Sequence, residues 1–267
     1  MVEVIAQFAW WEILGFVVVG LVSGVAAGFF GIGGGTIIVP CMLWLGFPIQ
    51  HAIGISIVQM MFASVFGSAI NYKKGLLDLR EGAFIGLGGM IGASFSGVVL
   101  SLCSELVLSV AFLTLTIVSF YRFAARSKVG TSENPIRQGW QKRMILVLAG
   151  AFTGVFAISL GIGGGLLIAP ILGYYLGYDS KRVVPLSLFF VVFSSVAGSF
   201  SLYHMEVIDS KLFSAAVLIG CCSIIGVASG IALIARASAY THRIALLCVY
   251  CFAIVMTGAN IADKALG

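Results

Sequence analysis

An all-α integral membrane protein, made of two inverted-topology repeats of about five helical segments each, is the fold this sequence predicts. Three observations carry that expectation. Of 267 residues, 60% are hydrophobic and only 9% charged, where a soluble domain carries roughly 25% charge. The apolar runs are about twenty residues long, enough for a helix across a bilayer and twice the length of a barrel strand. One unusual stretch, GFFGIGGGTIIVP at 28–40, returns in nearly the same form as SLGIGGGLLIAP at 159–170.

The elements follow in order. MVEVIAQFAWWEIL has no Lys or Arg before its apolar run and carries Glu3 and Glu12. A cleaved signal needs a positive start, so the first segment, 8–30, is expected to be retained. Segments 36–46, 49–72, 82–102 and 104–124 complete a first half. Segments 143–160, 166–178, 182–204, 212–235 and 243–263 make a second. The second and seventh are short, reaching about 18 Å against a hydrocarbon core of about 30 Å. Each is expected to fold back against the helix before it, as a re-entrant, glycine-broken hairpin with its apex near the midplane.

Charge supports that arrangement. With each broken pair entering and leaving on one side and both termini outside, the inner loops hold Lys73, Lys74, Arg80, Arg122, Arg126, Lys128, Arg137, Lys142, Arg143, Lys181, Arg182, Arg236 and Arg243. Of the 15 basic residues only Lys211 and Lys264 are left outside, as the positive-inside rule requires. The chain then divides into a first transmembrane repeat, 1–124, a basic cytoplasmic linker, 125–142, and a second repeat, 143–267.

The halves match beyond the glycines. With one residue inserted, Gly46 pairs with Gly177, Ser56 with Ser187, Ser64 with Ser195, Tyr72 with Tyr203 and Asp78 with Asp209. Each copy reverses the side of the chain, so the copies lie in opposite orientations, a transporter's architecture with its site between the halves. Backbone that leaves a helix inside a membrane needs partners that lipid cannot supply, and glycine lets a ligand approach that backbone closely. A half-helix starts after each cluster, at Thr36 and at Leu166, with free N–H groups and a positive dipole end. Two such ends aimed at one spot make an anion site. By contrast, Gly20, Gly24 and Gly28, Gly88 with Gly92, and Gly226 with Gly230 read as helix-packing ridges.

No Lys, Arg, Asp or Glu falls near the middle of a span, so an anion must be held by backbone and neutral donors. The expected substrate-binding set is Gly33, Gly34, Gly35, Thr36, Ser56, Gln59, Gly163, Gly164, Gly165 and Ser187. Ser56 and Gln59 share one helix face at i, i+3, and a buried Gln needs a partner. For each Ser a bond to its own helix backbone stays open as the alternative. His51, His204 and His242 fall at segment ends and read as interfacial.

No catalytic residue, metal ligand or cofactor is expected. Serines lack a nearby base at depth, Cys248 and Cys251 have no second pair or neighbouring His, and the six cysteines read as packing residues. The glycine clusters lack the strand, spacing and Lys of a nucleotide-binding loop, and no nucleic-acid partner is implied.

The paired glycine clusters, each followed by an apolar stretch and Pro, with AIGIS at 52–56 after the first, resemble the TauE/SafE sulfite-exporter family over essentially the whole chain. Two departures stand out: Ile55 where the family commonly has Thr, and VVPLS with Pro185 at the position of Gly54. The resemblance implies a multi-pass transporter in the cell inner (plasma) membrane, exporting small anions such as sulfite or organosulfonates. An anion channel, an importer of small carboxylates and a membrane scaffold protein are the alternatives. The implied partners are the small anion and membrane lipids, and a homo-oligomer stays open.

Overall fold

The computed structural model describes residues 8–125, 139–165, 167–168, 171–172, 176–178, 180–205, 207 and 209–266, and among these there are helices but no strands. In chain order they are α1 (Trp10–Phe30), α2 (Gly35–Trp44), α3 (Ile49–Lys73), α4 (Leu79–Ala93), α5 (Ser96–Leu102), α6 (Glu105–Ala125), α7 (Trp140–Thr153, continued by a π-helical turn Gly154–Ile158), α8 (Ser180–His204), α9 (Ser210–Arg236) and α10 (Ala239–Leu266). Among the described residues, eight spans, with α4 and α5 together making one, are long and apolar enough to cross a membrane, whereas α2 has only 10 residues. The chain is a multi-pass membrane protein. Of the expected short segment 166–178, Leu167, Ile168, Ile171 and Leu172 are helical. Leu166 and several others lie outside the described residues, as does 126–138 of the linker.

Two boundaries differ from the sequence reading, each for a local reason. The span expected from 82 starts at Leu79, because the Asp78 carboxylate accepts from the Arg80 and Glu81 N–H groups and caps the helix there. The same span breaks at Ser94–Phe95. Across the break, the Ser201 hydroxyl on α8 donates to the Ser94 carbonyl at 2.8 Å and accepts from the Gly97 N–H at 3.0 Å. One side chain thus supplies the partners that the interrupted helix lacks.

Packing runs mainly between the halves. α1 lies along α9 and α4 along α7; α3 packs on α8 and α9, and α8 on α4. Glycine ridges explain the closeness. A Cβ at Gly20, Gly24 or Gly28 would strike the Ile219, Ser223 or Val227 carbonyl of α9, and one at Gly226 or Gly230 would strike Leu21 or Val25 of α1. The α4–α7 contact repeats the device, with Gly88 and Gly92 against Val147 and Ala151, and Gly150 and Gly154 against Ile85 and Gly89.

Contacts at the helix ends sort the loops into two groups. Glu81 at the start of α4 pairs with Lys142 of α7 and Arg182 of α8, and accepts from the Tyr178 hydroxyl at 2.8 Å. Burial holds the Tyr178 phenol above its ordinary pKa, so it stays protonated and donates. At the other end, the Phe16 ring lies 5.2 Å from Phe8 and 6.2 Å from Phe47, and the Lys211 ammonium sits 4.8 Å over Phe8. Phe47, just after α2, therefore lies beside Phe16 of α1.

Candidate functional site

The glycine cluster after α1 is a turn that only glycine tolerates well. Gly31, Gly33 and Gly34 have φ of 72°, 78° and 88°. Gly34 caps α2, its carbonyl accepting from the N–H groups of Ile37 and Ile38. Gly164 does the same for Leu167 and Ile168. In α2 the Gly35 and Thr36 N–H groups precede the first intrahelical bond.

The two turns cross one another. A Cβ on Gly35 would run into the Gly161 carbonyl, and one on Gly165 into the Gly31 carbonyl; Gly163 likewise sits on the Ile32 carbonyl. Each crossing is fastened by a hydroxyl. Ser56 of α3 donates to the Gly161 carbonyl at 2.9 Å, and its repeat counterpart Ser187 of α8 donates to the Gly31 carbonyl at 2.7 Å. Neither Ser bonds to its own helix, and both protons are committed to the opposite half. These two serines hold the turns together in this structure.

Thr36 and Gln59 differ from them. Both are completely buried, and the Thr36 hydroxyl and both polar atoms of the Gln59 amide have no hydrogen-bond partner. A buried, unmet amide costs about 1–3 kcal/mol, so Thr36 and Gln59 are polar groups with unused capacity. Gln59 stands one helical turn beyond Ser56. Its neighbour Met60 places its sulfur 2.9 Å from a Cβ built on Gly33 and 3.1 Å from one on Gly163, between the two clusters.

The second half offers less. In the repeat register, Phe190 stands at the position of Gln59 and Val191 at that of Met60. The Phe190 ring closes directly on Gly164, and Gly34 backs onto the Ser23 carbonyl. The structure places the expected glycines, Thr36, Ser56 and Ser187 at or next to this crossing, with Gln59 one turn further along α3. Its buried side chains without a partner include Thr36 and Gln59 in the first half and Ser159, two residues before Gly161, in the second. Glu81, at the bundle end, is the one charged side chain among the described buried residues, and no group of metal-ligating side chains occurs among those described.

Met60 and Phe190 were not foreseen, since an apolar residue in an apolar run carries no signal that it faces a glycine turn. His242 was expected at the interface. It lies near the start of α10, with its ring 5.2 Å from Phe29 and 5.3 Å from Phe30 beside the first glycine turn, its Nε2 unpartnered. Two aromatic residues immediately before the glycines were the available clue.

Comparison with known proteins assigns the chain to a family. Residues 16–257 match the family described as sulfite exporter TauE/SafE. The chain is 30% identical to the probable membrane transporter protein YunE of Bacillus subtilis, over 71% of this chain and 77% of that one. It is 26% identical to the probable membrane transporter protein MJ0441 of Methanocaldococcus jannaschii, over 69% and 70% respectively. The protein with these crossed glycine turns and eight candidate spans therefore belongs to the TauE/SafE family of membrane transporters.

Proposed function

We propose that this transporter exports small organosulfur or related anions, of the sulfite and sulfonate class, across the cell inner membrane. In this reading 1–124 and 143–267 are inverted repeats, the glycine-broken helices are re-entrant, and the substrate binds near the midplane between them. The observation that carries it is the pairing of an α-helix N-terminus with two fully buried, unpartnered neutral groups, Thr36 and Gln59. Such a site offers donors and a positive dipole end without a fixed charge, which suits a small oxyanion. The glycines Gly33, Gly34, Gly35, Gly163, Gly164 and Gly165 bring the backbone there, with Ser56 and Ser187 fixing it.

The inverted, re-entrant arrangement has independent support. The contact of Phe47, just after α2, with Phe16 of α1 fits a hairpin. The bonds from Gln50 to the Cys103 carbonyl and from Arg243 to the Ala124 carbonyl join loops assigned to the same side. The packing pattern also maps onto itself when the halves are exchanged, α1–α9 becoming α7–α4. An inside-negative potential drives anions outward at about 2.3 kcal/mol per charge per 100 mV, so export needs no coupling ion.

The test is counterflow of radiolabelled sulfite in proteoliposomes, challenged with sulfonates, short carboxylates and a neutral sugar. The proposal expects saturable sulfite exchange, competition by sulfonates, and net efflux that rises when a potassium–valinomycin gradient sets the interior negative. Exchange selective for carboxylates would replace the substrate class. Unsaturable currents would make the protein a channel.

A further inference from the structure

Between α4 and α7, at the end of the bundle that carries the Glu81 cluster, lies a groove of about 290 Å³ lined by Phe84, Trp140, Arg143, Met144, Val147 and Leu148. Trp140, Met144 and Leu148 are exposed on the outer surface of the bundle, so hydrocarbon covers this face in a membrane. Arg143 is half-buried, with its guanidinium 5.4 Å from the centre of the Phe84 ring. Its neighbour Lys142 is taken by Glu81, but among the described residues Arg143 meets no carboxylate. A cation one turn into a lipid-facing span needs a counter-ion, and it reaches toward the headgroup layer to find one. Trp140, three residues earlier, is of the type that sits at that layer.

The repeat supplies an internal control. At the corresponding positions of α1 and α9, Trp10, Leu14, Val17 and Val18 stand in the places of Trp140, Met144, Val147 and Leu148. Ile13 replaces Arg143 there and Ala215 replaces Phe84. The arginine and the ring beneath it are therefore not demanded by the helix packing that both halves share.

We infer that the α4–α7 groove is a binding site for an anionic phospholipid: an acyl chain lies along Phe84, Met144, Val147 and Leu148, and the headgroup phosphate pairs with Arg143. Arginine matches phosphate through paired N–H donors, and basic residues between transmembrane helices recognise anionic headgroups in this way.

The experiment uses the full chain with Trp10, Trp11 and Trp44 replaced by Phe, leaving Trp140 as the sole fluorophore, in vesicles of equal phosphatidylglycerol and phosphatidylcholine. Brominated acyl chains are placed on one lipid or the other, so the membrane's charge is constant and only the quencher moves. Brominated phosphatidylglycerol should be favoured at Trp140 by about fivefold, the factor one basic side chain near anionic lipid is worth. Arg143→Gln should bring the preference to unity and Arg143→Lys should keep most of it. A matching chain retaining Trp10 alone should show no preference. Equal quenching of Trp140 by both lipids, or a preference that survives in folded Arg143→Gln, overturns the site.

Discussion

Residues at the two ends of the bundle correspond in the sequence repeat, yet different forces hold them. At one end Glu81, Lys142, Tyr178 and Arg182 form an ion cluster between the halves. The residues in the same repeat positions at the other end are Leu212, Glu12, Phe47 and His51. There rings of the first half pack on one another, Phe8 against Phe16 and Phe16 against Phe47, and Lys211 of the second half sits over Phe8, while Glu12 turns back to accept from the Ala9 N–H of its own helix. Between them, at the crossing, the halves stay alike: a serine from each takes the same carbonyl of the other. Resemblance survives where backbone must pass against backbone, because no side chain other than hydrogen fits. At the ends charge and ring packing can replace each other, and the copies have diverged.

The largest effect is expected from adding a methyl group at the crossing. Gly35→Ala and Gly165→Ala each drive a Cβ into a carbonyl of the opposite turn. Each should destabilise the protein by about 3 kcal/mol or prevent its folding. Similar losses of thermal stability in detergent would confirm the likeness of the two turns; tolerance of one alanine alone would break it. Glu81→Gln comes next. It removes the carboxylate that Lys142 and Arg182 share. With those side chains 20% and 43% exposed, the cost is about 2 kcal/mol, below that of a fully buried pair. Salt screens exposed charges, so the margin between wild type and Glu81→Gln should narrow in 1 M salt. Phe47→Leu, at the opposite end, should cost only about 1 kcal/mol through its lost ring contact. Its margin should be unchanged by salt, and a salt-dependent one would mean that the two ends are held alike.

Much of this was legible in the sequence because hydrophobic length, glycine identity and repeated spacing are local signals. The eight long spans, the shortness of the ten-residue α2, and the packing ridges at Gly20, Gly24 and Gly28 follow from them. The break at Ser94–Phe95 was not legible, since it depends on a hydroxyl from Ser201, which is distant in sequence. Glu81 also escaped notice: it sits in an inner loop region by composition, and only folding brings Lys142, Tyr178 and Arg182 around it. At the crossing, Ser56, Gln59 and Thr36 could be chosen as polar residues in apolar runs. Their division of labour could not, because whether a hydroxyl has a partner depends on the other half of the chain. The serines are bonded; the threonine and glutamine are not.

That division is also the account's most exposed point. If Gln59 supplies the unused donor at an anion site, Gln59→Leu removes it while filling similar space. The direct measurement is sulfite counterflow by folded Gln59→Leu, set beside Phe190→Leu at the equivalent position. Loss of a hydrogen bond to a charged group, worth about 1.5–3 kcal/mol, corresponds to a fall of roughly 10- to 100-fold in exchange at low substrate concentration. The account predicts that fall for Gln59→Leu, with thermal stability unchanged or raised, and a much smaller change in affinity for Phe190→Leu. Wild-type affinity and exchange by Gln59→Leu would contradict it and remove the first glycine turn from the substrate's path.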